Sequence, residues 1–337
     1  MPILDIDSTT AFDRLDQQRH SRWSEIANAD APSSNFISGN FFRPILHKPF
    51  SLSETSAGFV IGSCFAQQVQ FALGKRDVPL RSCILESPTE NWFLQDGKDN
   101  WPLHFFHRFN PGSLLHEFEH ILSESPAIAD GALIFQRADG LFSDCHYNAR
   151  FTLPGFEECM ARREFIRTSI NALVDVDFVI MTLGMTEAWM DVESGLYLNK
   201  SPTKELADYL PSQFRFRVLS ESDVVASLTN ILKMLYRRNP SMKIVLTVSP
   251  IPLEATFTGE DIAVANTNSK ATLLCAAQRL LRNFPQVFYF PSYEIVSYSD
   301  RAAVWERDGR HVRGEFVERI MDFFCTAAFD APSEVAP

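Results

Sequence analysis

The fold is predicted from one stretch of the sequence, Gly58-Phe59-Val60-Ile61-Gly62-Ser63-Cys64-Phe65-Ala66. A short apolar run of β-branched and aromatic residues ends in Gly-Ser, and helix-forming residues follow at once. This pattern predicts a buried strand, a tight turn and a helix that begins at Ser63. Ser63 would lie at the C-terminal edge of a sheet, beside helix N–H groups that favour negative charge. An α/β enzyme places a nucleophile at such a position, although serine is also a favoured helix N-cap.

Composition is that of an ordinary soluble globular protein, with 337 residues of which 45% are hydrophobic and 22% charged. The formal net charge of -11, without a long run of Lys or Arg, argues against nucleic acid or an anionic membrane as partner. The sequence has no secretory signal and no apolar stretch near the roughly 20 residues that span a bilayer. Six scattered cysteines lack zinc spacing, so we expect free thiols, a cytoplasmic location and no metal or other cofactor.

Strand and helix patterns alternate along the rest of the chain. Buried strands are predicted at about 57–62, 177–183, 243–248 and 287–290, with a possible short strand at 78–84. Helices are predicted at about 10–28, 63–74, 110–123, 156–173, 222–239, 267–283 and 315–324. A hairpin is predicted at 131–144, a hairpin-like insertion at 188–216, and at 86–110 a long loop of the kind that is usually functional or lid-like. This alternation predicts a doubly wound, mostly parallel sheet in a three-layer α/β sandwich with loop and hairpin insertions.

Polar residues follow four of the predicted strands, at the edge of the sheet where doubly wound proteins bind ligands. They are Ser63, Gly184-Met185-Thr186-Glu187, Ser249-Pro250 and Pro291-Ser292-Tyr293-Glu294. The run Asp308-Gly309-Arg310-His311 follows in the loop before the last helix. A carboxylate three residues before a histidine can hold the imidazole Nδ1–H and leave Nε2 free to accept a proton. Ser63, Asp308 and His311 could therefore meet at one edge, the alternative being that Asp308 and His311 form a solvated loop pair.

The run Gly62-Ser63-Cys64-Phe65-Ala66 spells the signature of the GSCFA family, which the chain resembles over about residues 40–325. Further similar runs are Phe109-Asn110-Pro111, Thr182-Leu183-Gly184-Met185-Thr186-Glu187-Ala188-Trp189, Thr247-Val248-Ser249-Pro250-Ile251-Pro252-Leu253, Ser269-Lys270, Tyr289-Phe290-Pro291-Ser292-Tyr293-Glu294 and Asp308-x-x-His311. The resemblance implies an N-terminal arm or helix over 1–40, a catalytic domain over 41–330 and a C-terminal tail over 331–337.

The GSCFA family looks like a branch of the SGNH/GDSL hydrolase superfamily, whose members combine a flavodoxin-like sandwich with a Ser-His-Asp triad. The resemblance implies Ser63 as nucleophile, His311 as general base and Asp308 as the residue that orients it. It also implies an oxyanion hole made by the serine N–H, a glycine N–H and an asparagine side chain. Here the superfamily pattern Gly-x-Asn-Asp is Gly184-Met185-Thr186-Glu187, so the weaker donor Thr186 stands in the asparagine position.

The candidate residues of the site fall into three groups. The catalytic candidates are Ser63, Asp308 and His311. The oxyanion candidates are Ser63, Gly184, Thr186 and Asn110, the last of which fits a helix N-cap equally well. The pocket candidates are Cys64, Glu187, Ser249, Tyr293 and Glu294, although Cys64 is also expected to pack as a small hydrophobe and the others to brace loops. The histidines His104, His107 and His146 lack metal spacing and are interpreted as surface or loop residues.

The predicted chemistry is acyl transfer to or from an oxygen ester through an acyl-enzyme. With water as the second substrate the protein is an esterase, and with a sugar hydroxyl it is an O-acyltransferase that could use a donor such as acyl-CoA. The resemblance suggests small-molecule or glycan esters as substrates. Two other hypotheses remain open: a non-catalytic carbohydrate- or small-molecule-binding module with the same fold, and an enzyme that uses the Cys64 thiol. The oligomeric state is left open.

Overall fold

The computed structural model describes residues 4–17, 41–83, 106–123, 131–147 and 155–329. The strands in chain order are β1 (Gly58–Gly62), β2 (Ile134–Gln136), β3 (Phe142–Asp144), β4 (Phe178–Leu183), β5 (Glu187–Asp191), β6 (Phe214–Val218), β7 (Lys243–Val248) and β8 (Val287–Tyr289). The helices are α1 (Ser8–Gln17), α2 (Cys64–Gly74), α3 (Pro111–Leu122), α4 (Phe156–Ile170), α5 (Lys204–Tyr209), α6 (Glu221–Arg238), α7 (Ile262–Asn283), α8 (Ser292–Tyr298), α9 (Arg301–Val304) and α10 (Gly314–Ala328).

Four of the strands form the central sheet in the order β1-β4-β7-β8, and every pair in it is parallel. The register places Gly62 opposite Thr182 and Thr182 opposite Thr247, so the carboxyl ends of three strands lie side by side. The remaining strands form two antiparallel ribbons, β2–β3 and β5–β6. The ribbons correspond to the predicted hairpin and to the hairpin-like insertion.

Helices cover both faces of the sheet because successive residues of a strand point to opposite sides. Phe59 and Ile61 of β1 belong to a core that also contains side chains of α3, α6 and α7. Val60 belongs to a second core with side chains of α2, α8 and α10. The prediction of a doubly wound, three-layer α/β sandwich is therefore confirmed.

Two helix starts differ from the sequence prediction, and the three short helices α5, α8 and α9 were not predicted. The helix α6 is capped by Ser220, whose side chain accepts from the Asp223 N–H, and not by Ser222. The helix α7 begins at Ile262 because Asp261 caps it, several residues before the predicted start. Within α7 the hydroxyl of Thr267 donates to the Ala263 carbonyl, so it does not act as a cap. The short helix α8 lies directly after Pro291.

The predicted strand at 78–84 is wrong. Leu80 makes a single parallel bridge with Gly58, and the chain then enters a short 3-10 turn at Arg81–Cys83. The 3-10 turn ends strand pairing, because its backbone hydrogen bonds are local. Several predictions fall wholly or partly outside the described residues: positions 18–28 of the first helix, positions 18–40 of the N-terminal arm, position 84 of this strand, most of the loop at 86–110 and the C-terminal tail at 331–337.

Several predictions about the whole chain are only partly addressed by the fold. Among the described residues, no helix combines the length and apolar character needed to cross a bilayer. Five of the six cysteines are free thiols, namely Cys64, Cys145, Cys159, Cys275 and Cys325. The predicted domain boundaries after residues 40 and 330 stay predictions.

We predict that Gly62→Ala strongly destabilises the fold. Gly62 turns the chain out of β1 with a φ of +134°, and a Cβ there would lie 2.2 Å from the Thr182 carbonyl oxygen. The free energy of unfolding, measured with a chemical denaturant, should fall by about 2–4 kcal/mol. Gly74→Ala is the matched control, because a Cβ at Gly74 would meet no atom within 4 Å. That control should change stability by less than about 1 kcal/mol; equal losses in both variants would contradict the prediction.

Candidate active site

A cavity of about 350 Å³ lies at the carboxyl ends of β1, β4 and β7. Each of these strand ends contributes a polar position that the sequence singled out: Ser63 after β1, Gly184 and Glu187 after β4, and Ser249 after β7. The position agrees with the general rule that parallel sheets bind ligands beyond the carboxyl ends of their strands. The structure thus brings three of the four predicted strand ends to one cavity.

Ser63 is the N-cap of α2 and also lines the cavity. Its hydroxyl accepts a hydrogen bond from the Phe65 N–H at 3.3 Å and lies 3.0 Å from the hydroxyl of Thr182. Ser63 is therefore a helix N-cap, as one interpretation of the sequence has it, and it also lies at the cavity where the other interpretation places a nucleophile. A serine that caps a helix in this way holds its oxygen where the N-terminal dipole of the helix stabilises negative charge.

Asp308 and His311 form the predicted pair. Asp308 Oδ2 lies 2.5 Å from His311 Nδ1, and Asp308 Oδ1 accepts from the His311 N–H at 3.0 Å. These bonds, with a third from the Arg310 N–H, hold the pKa of the Asp308 carboxyl well below its usual range. The side chains of His311 and Asp308 are 54% and 50% exposed. The other ring nitrogen, His311 Nε2, lies 3.5 Å from Nη1 of Arg310, a residue of the cavity lining.

Ser63 and His311 do not form a hydrogen bond in the structure. Arg310, the residue before His311, lines the same cavity as Ser63. The Asp308–His311 pair is thus at the same edge of the sheet as Ser63, one residue away from the cavity lining. Of the two contacts in the predicted triad, the structure makes the one between His311 and Asp308. The contact between Ser63 and His311 is not made.

The backbone of Ser63 does not supply a free oxyanion donor. Its N–H donates to the Thr182 carbonyl at 2.9 Å, which continues the pairing between β1 and β4 by one residue. Thr186, unlike Ser63, does not line the cavity, and its N–H donates to the hydroxyl of Ser269 at 2.9 Å. The Ser63 N–H is therefore not available as an oxyanion donor, and Thr186, whose hydroxyl was the predicted donor, is buried and lies outside the cavity lining.

Asn110 is a helix cap and not an oxyanion donor. Its Oδ1 accepts from the Ser113 N–H at 2.9 Å, and its Nδ2 donates to the Leu198 carbonyl at 2.8 Å. Pro111 follows at the first position of α3, as is common after an N-cap. Both ends of the carboxamide are used to fix the start of α3 against the segment around Leu198.

Two backbone N–H groups beside Ser63 remain without an acceptor among the described residues: those of Cys64 and Gly184. Gly184 approaches Ser63 closely, since a Cβ on Gly184 would lie 3.1 Å from Ser63 Cβ and 2.5 Å from the Phe109 carbonyl oxygen. A side chain at position 184 would therefore collide with the wall of the cavity. Gly184 is the oxyanion candidate that the geometry retains, and the Cys64 N–H is one of the donors at the helix start that the sequence predicted without naming the residue.

The side chain of Cys64 lines the cavity and packs against the second core. Burial raises the pKa of its thiol, so the neutral form predominates at neutral pH. The thiolate is the nucleophilic form of cysteine, and this environment disfavours it. Cys64 is therefore placed as a pocket residue whose surroundings do not activate sulfur.

Tyr293 and Glu294 do not line the cavity. They belong to the unpredicted helix α8, where both carboxylate oxygens of Glu294 accept from the Tyr289 hydroxyl, at 3.0 and 3.1 Å. Burial raises the pKa of the Glu294 carboxyl. These two pocket candidates brace the end of β8, because the helix carries them away from the strand ends.

Of the three histidines interpreted as surface or loop residues, His107 and His146 lie between helices and strands but are buried, and His104 lies outside the described residues. His146 Nε2 lies 2.7 Å from a carboxylate oxygen of Glu117, and burial lowers the His146 pKa to about 4. Glu117 also pairs with Arg108. His107 is buried beside Gly62, where it makes a parallel bridge. Among the described residues, no cluster of three His, Cys, Asp or Glu side chains is arranged to hold a metal ion.

Asn199 is a buried residue of the cavity that sequence reasoning missed. Its Oδ1 accepts from the Phe109 N–H and its Nδ2 donates to the His107 carbonyl, each at 2.8 Å. The carboxamide thereby fastens the segment 107–109 along the cavity. A single asparagine in a polar insertion carries no local signal, so only the structure identifies it.

Ser269 and Lys270 of α7 hold the turn between β4 and β5. Lys270 Nζ donates to the Gly184 carbonyl at 2.6 Å, and Ser269 accepts from the Thr186 N–H. Lys270 is buried, and this burial lowers its pKa to about 7. The sequence did mark this pair, since Ser269-Lys270 is one of the runs similar to the GSCFA family, but it gave no role for it.

With this geometry in place, the family can be assigned. The model of the GSCFA family matches residues 58–324. The chain belongs to the GSCFA family. The matched region contains the sheet, the cavity, Ser63 and the Asp308–His311 pair.

Other comparisons give little beyond the family. A search of the curated proteins finds no match. Among solved structures, the chain is similar to the Clostridium thermocellum family 3 carbohydrate esterase, at 9% identity over 80% of this chain and 94% of that one, with a TM-score of 0.29. At this TM-score the similarity does not support an argument about activity.

We predict a pH-dependent cost of burying Lys270. Its pKa is about 7 in the folded chain and 10.5 in the reference state, so between these values the unfolded chain binds more protons and stability rises with pH. Relative to Lys270→Met, the wild-type protein should gain about 1 kcal/mol of unfolding free energy per pH unit from pH 7 towards pH 9. Urea denaturation at several pH values measures this difference, and a difference that stays constant would contradict the prediction.

Proposed function

We propose that the protein is a serine-dependent ester hydrolase or O-acyltransferase of the SGNH type, with Ser63 as nucleophile. The observation that supports this most is the setting of Ser63: it lines a cavity at the start of α2, next to the backbone N–H groups of Cys64 and Gly184, which have no acceptor among the described residues. Donors fixed in advance around a nucleophile are what an acyl-transfer site requires. The nearby Asp308–His311 pair supplies a base with an ordered tautomer.

In the proposed reaction, Ser63 Oγ attacks the ester carbonyl and His311 Nε2 takes the serine proton. The N–H groups of Cys64 and Gly184 hold the oxyanion of the tetrahedral intermediate, each good donor being worth roughly 3–4 kcal/mol. The intermediate collapses to an acyl-enzyme as His311 returns the proton to the leaving alcohol. Water then releases the acid, or a sugar hydroxyl takes the acyl group. Asp308 stabilises the imidazolium in both half-reactions.

The contact between Ser63 and His311 has to form in this reaction. Catalytic hydrogen bonds are often long in unliganded sites and tighten when substrate binds. His311 lies on an exposed loop that is tied by backbone bonds from Glu306 to His311 and from Arg313 to Val304. We propose that substrate binding brings His311 over Ser63. Glycan or small-molecule esters, an acyl-CoA donor and a cytoplasmic location are part of the same proposal.

The unmade Ser63–His311 contact also favours a second candidate function. A binding module that keeps the fold would need the cavity but not the triad. In that case Ser63 serves only as the N-cap of α2 and as the partner of Thr182. Reactivity of the serine separates the two functions.

We predict that a fluorophosphonate probe labels wild-type protein and that Ser63→Ala abolishes both labelling and hydrolysis of p-nitrophenyl esters. The loss of kcat should be at least about 10³-fold, because the covalent step disappears. Ser169→Ala is the control, since that hydroxyl only donates to the Phe165 carbonyl within α4. Wild-type protein that is neither labelled nor active would favour the binding module. Labelling that survives in Ser63→Ala and is lost in Cys64→Ala would assign the reaction to the thiol.

We predict that His311→Gln and Asp308→Asn each lower kcat/KM for these esters by roughly 10²–10⁴-fold, because each removes proton transfer or its orientation. Glu306→Gln is the matched control: it removes a carboxylate from the same exposed loop, and its backbone bond to His311 is retained. The control should keep near wild-type kcat/KM. If all three variants behave alike, the loop does not carry the base.

A further inference from the structure

The cavity beside Ser63 has an aromatic wall made by Trp189, Phe216 and Phe257. Trp189 of β5 lies directly opposite Phe216 of β6, with ring centroids 5.4 Å apart. Phe257 contacts both rings, at 5.2 Å from Trp189 and 5.5 Å from Phe216. All three side chains line the cavity. The antiparallel ribbon β5–β6 thus serves as one side of the site.

The rest of the lining is mostly apolar. Its aliphatic side chains are Met185, Ile251, Pro252, Leu253 and Ala255. These residues come from the turn after β4 and from the segment that follows β7. Together with the three rings they form a continuous apolar surface next to the nucleophile.

The carboxylate and carboxamide groups along this wall are occupied, and Trp189 Nε1 is a buried donor without a partner among the described residues. Glu187 Oε1 accepts from the Thr256 hydroxyl at 2.6 Å, and Oε2 accepts from the Phe257 N–H at 3.2 Å. Glu187 therefore fixes Phe257 in the wall. The carboxamide of Asn199 is likewise used at both ends. A sugar ring pressed against this wall would bury hydroxyl groups with few partners, which is unfavourable.

Arg310 and Glu254 form a charged, solvent-facing part of the cavity lining, and Lys200 is a further charged residue of the lining. Arg310 lines the cavity, lies 3.4 Å from Glu254 and precedes the exposed His311. The side chain of Glu254 is 83% exposed. A leaving alcohol and an incoming water or sugar hydroxyl need access from solvent and contact with the base. The alcohol portion of a substrate is therefore expected on the Arg310 side, and the apolar wall is left for the acyl portion.

We propose that the apolar part of this cavity is the acyl-binding site and that it takes a linear, uncharged acyl chain longer than acetyl. This inference rests on the proposed function and adds the substrate's acyl class to it. A cavity of about 350 Å³ is larger than an acetyl group requires. Glu187 acts as a positioning residue in it, because it holds the backbone of Phe257.

The test is the rate of hydrolysis of p-nitrophenyl acetate, butyrate, hexanoate and octanoate. For the wild-type protein, kcat/KM should rise about fourfold for each methylene that enters the apolar part of the cavity, until that part is full. Phe257→Ala should lower kcat/KM for octanoate at least tenfold and that for acetate less than about threefold. Phe257 is 54% exposed, so the fold should tolerate its truncation. Phe156→Ala, which truncates a 40% exposed ring outside the cavity, should leave the chain-length profile unchanged.

The two levels of the proposal fail in different ways. If acetate is the best ester, or if Phe257→Ala lowers kcat/KM equally for all four esters, the acyl-binding assignment is overturned while the serine mechanism stands. If none of the four esters is hydrolysed and Ser63 is not labelled by fluorophosphonate, the proposed function falls and this inference falls with it.

Discussion

The ends of β1 and β4 approach each other so closely that the turn after each strand needs a glycine. A Cβ on Gly62 would meet the Thr182 carbonyl at 2.2 Å, and a Cβ on Gly184 would meet Ser63 Cβ at 3.1 Å. The Ser63 N–H completes this junction by donating to Thr182. Because the junction is formed by backbone atoms and a positive φ, it has little freedom to adjust. This junction between the ends of β1 and β4 sets the position of the Ser63 hydroxyl at the cavity.

Two buried residues with basic side chains hold the backbone on either side of this junction. Lys270 donates to the Gly184 carbonyl, and the N–H of Arg108 donates to the Gly62 carbonyl at 2.6 Å while its guanidinium pairs with Glu117. Buried charges add little net stability, but removing one partner leaves an uncompensated charge and costs much more. Because arrangements that break these contacts would leave a buried charge without its partner, they are disfavoured relative to the arrangement of the strand ends seen here. This explains why charged side chains occur in the interior around a site whose cavity is mostly apolar.

The features that could be predicted from sequence are those with a local cause. Apolar runs bounded by Gly or Pro predicted the strands of the central sheet, and the Gly-Ser pair at the end of β1 predicted the turn and the N-cap of α2. Asp308 and His311 are separated by three positions, so a single turn of the backbone is enough to bring their side chains together. The prediction at 78–84 was wrong because a strand also needs an extended partner, and β1 meets only Leu80 there.

The oxyanion donors could not be predicted in the same way, because they depend on contacts between distant parts of the chain. Thr182 lies 119 residues from Ser63, and Lys270 lies 86 residues from Gly184. No periodicity or spacing reveals that the Ser63 N–H is consumed by such a contact. A family pattern transfers residue types, but it does not show which of their hydrogen-bonding groups remain free. Asn110 and Thr186 fit the pattern by position, but neither lines the cavity, and the Asn110 carboxamide is used to cap α3 and to hold Leu198.

The hydrogen bond between Ser63 and Thr182 constrains the proposed chemistry further. Either hydroxyl could be the donor in this 3.0 Å contact, but only one direction suits a nucleophile. If Ser63 donates, its proton points away from His311 and the base has nothing to accept. If Thr182 donates, Ser63 Oγ accepts from both Thr182 and the Phe65 N–H, and its own proton is free for His311. Both donors then also stabilise negative charge as it develops on the attacking oxygen. The proposed mechanism therefore requires Thr182 to be the donor, which gives a function to a threonine at the end of β4.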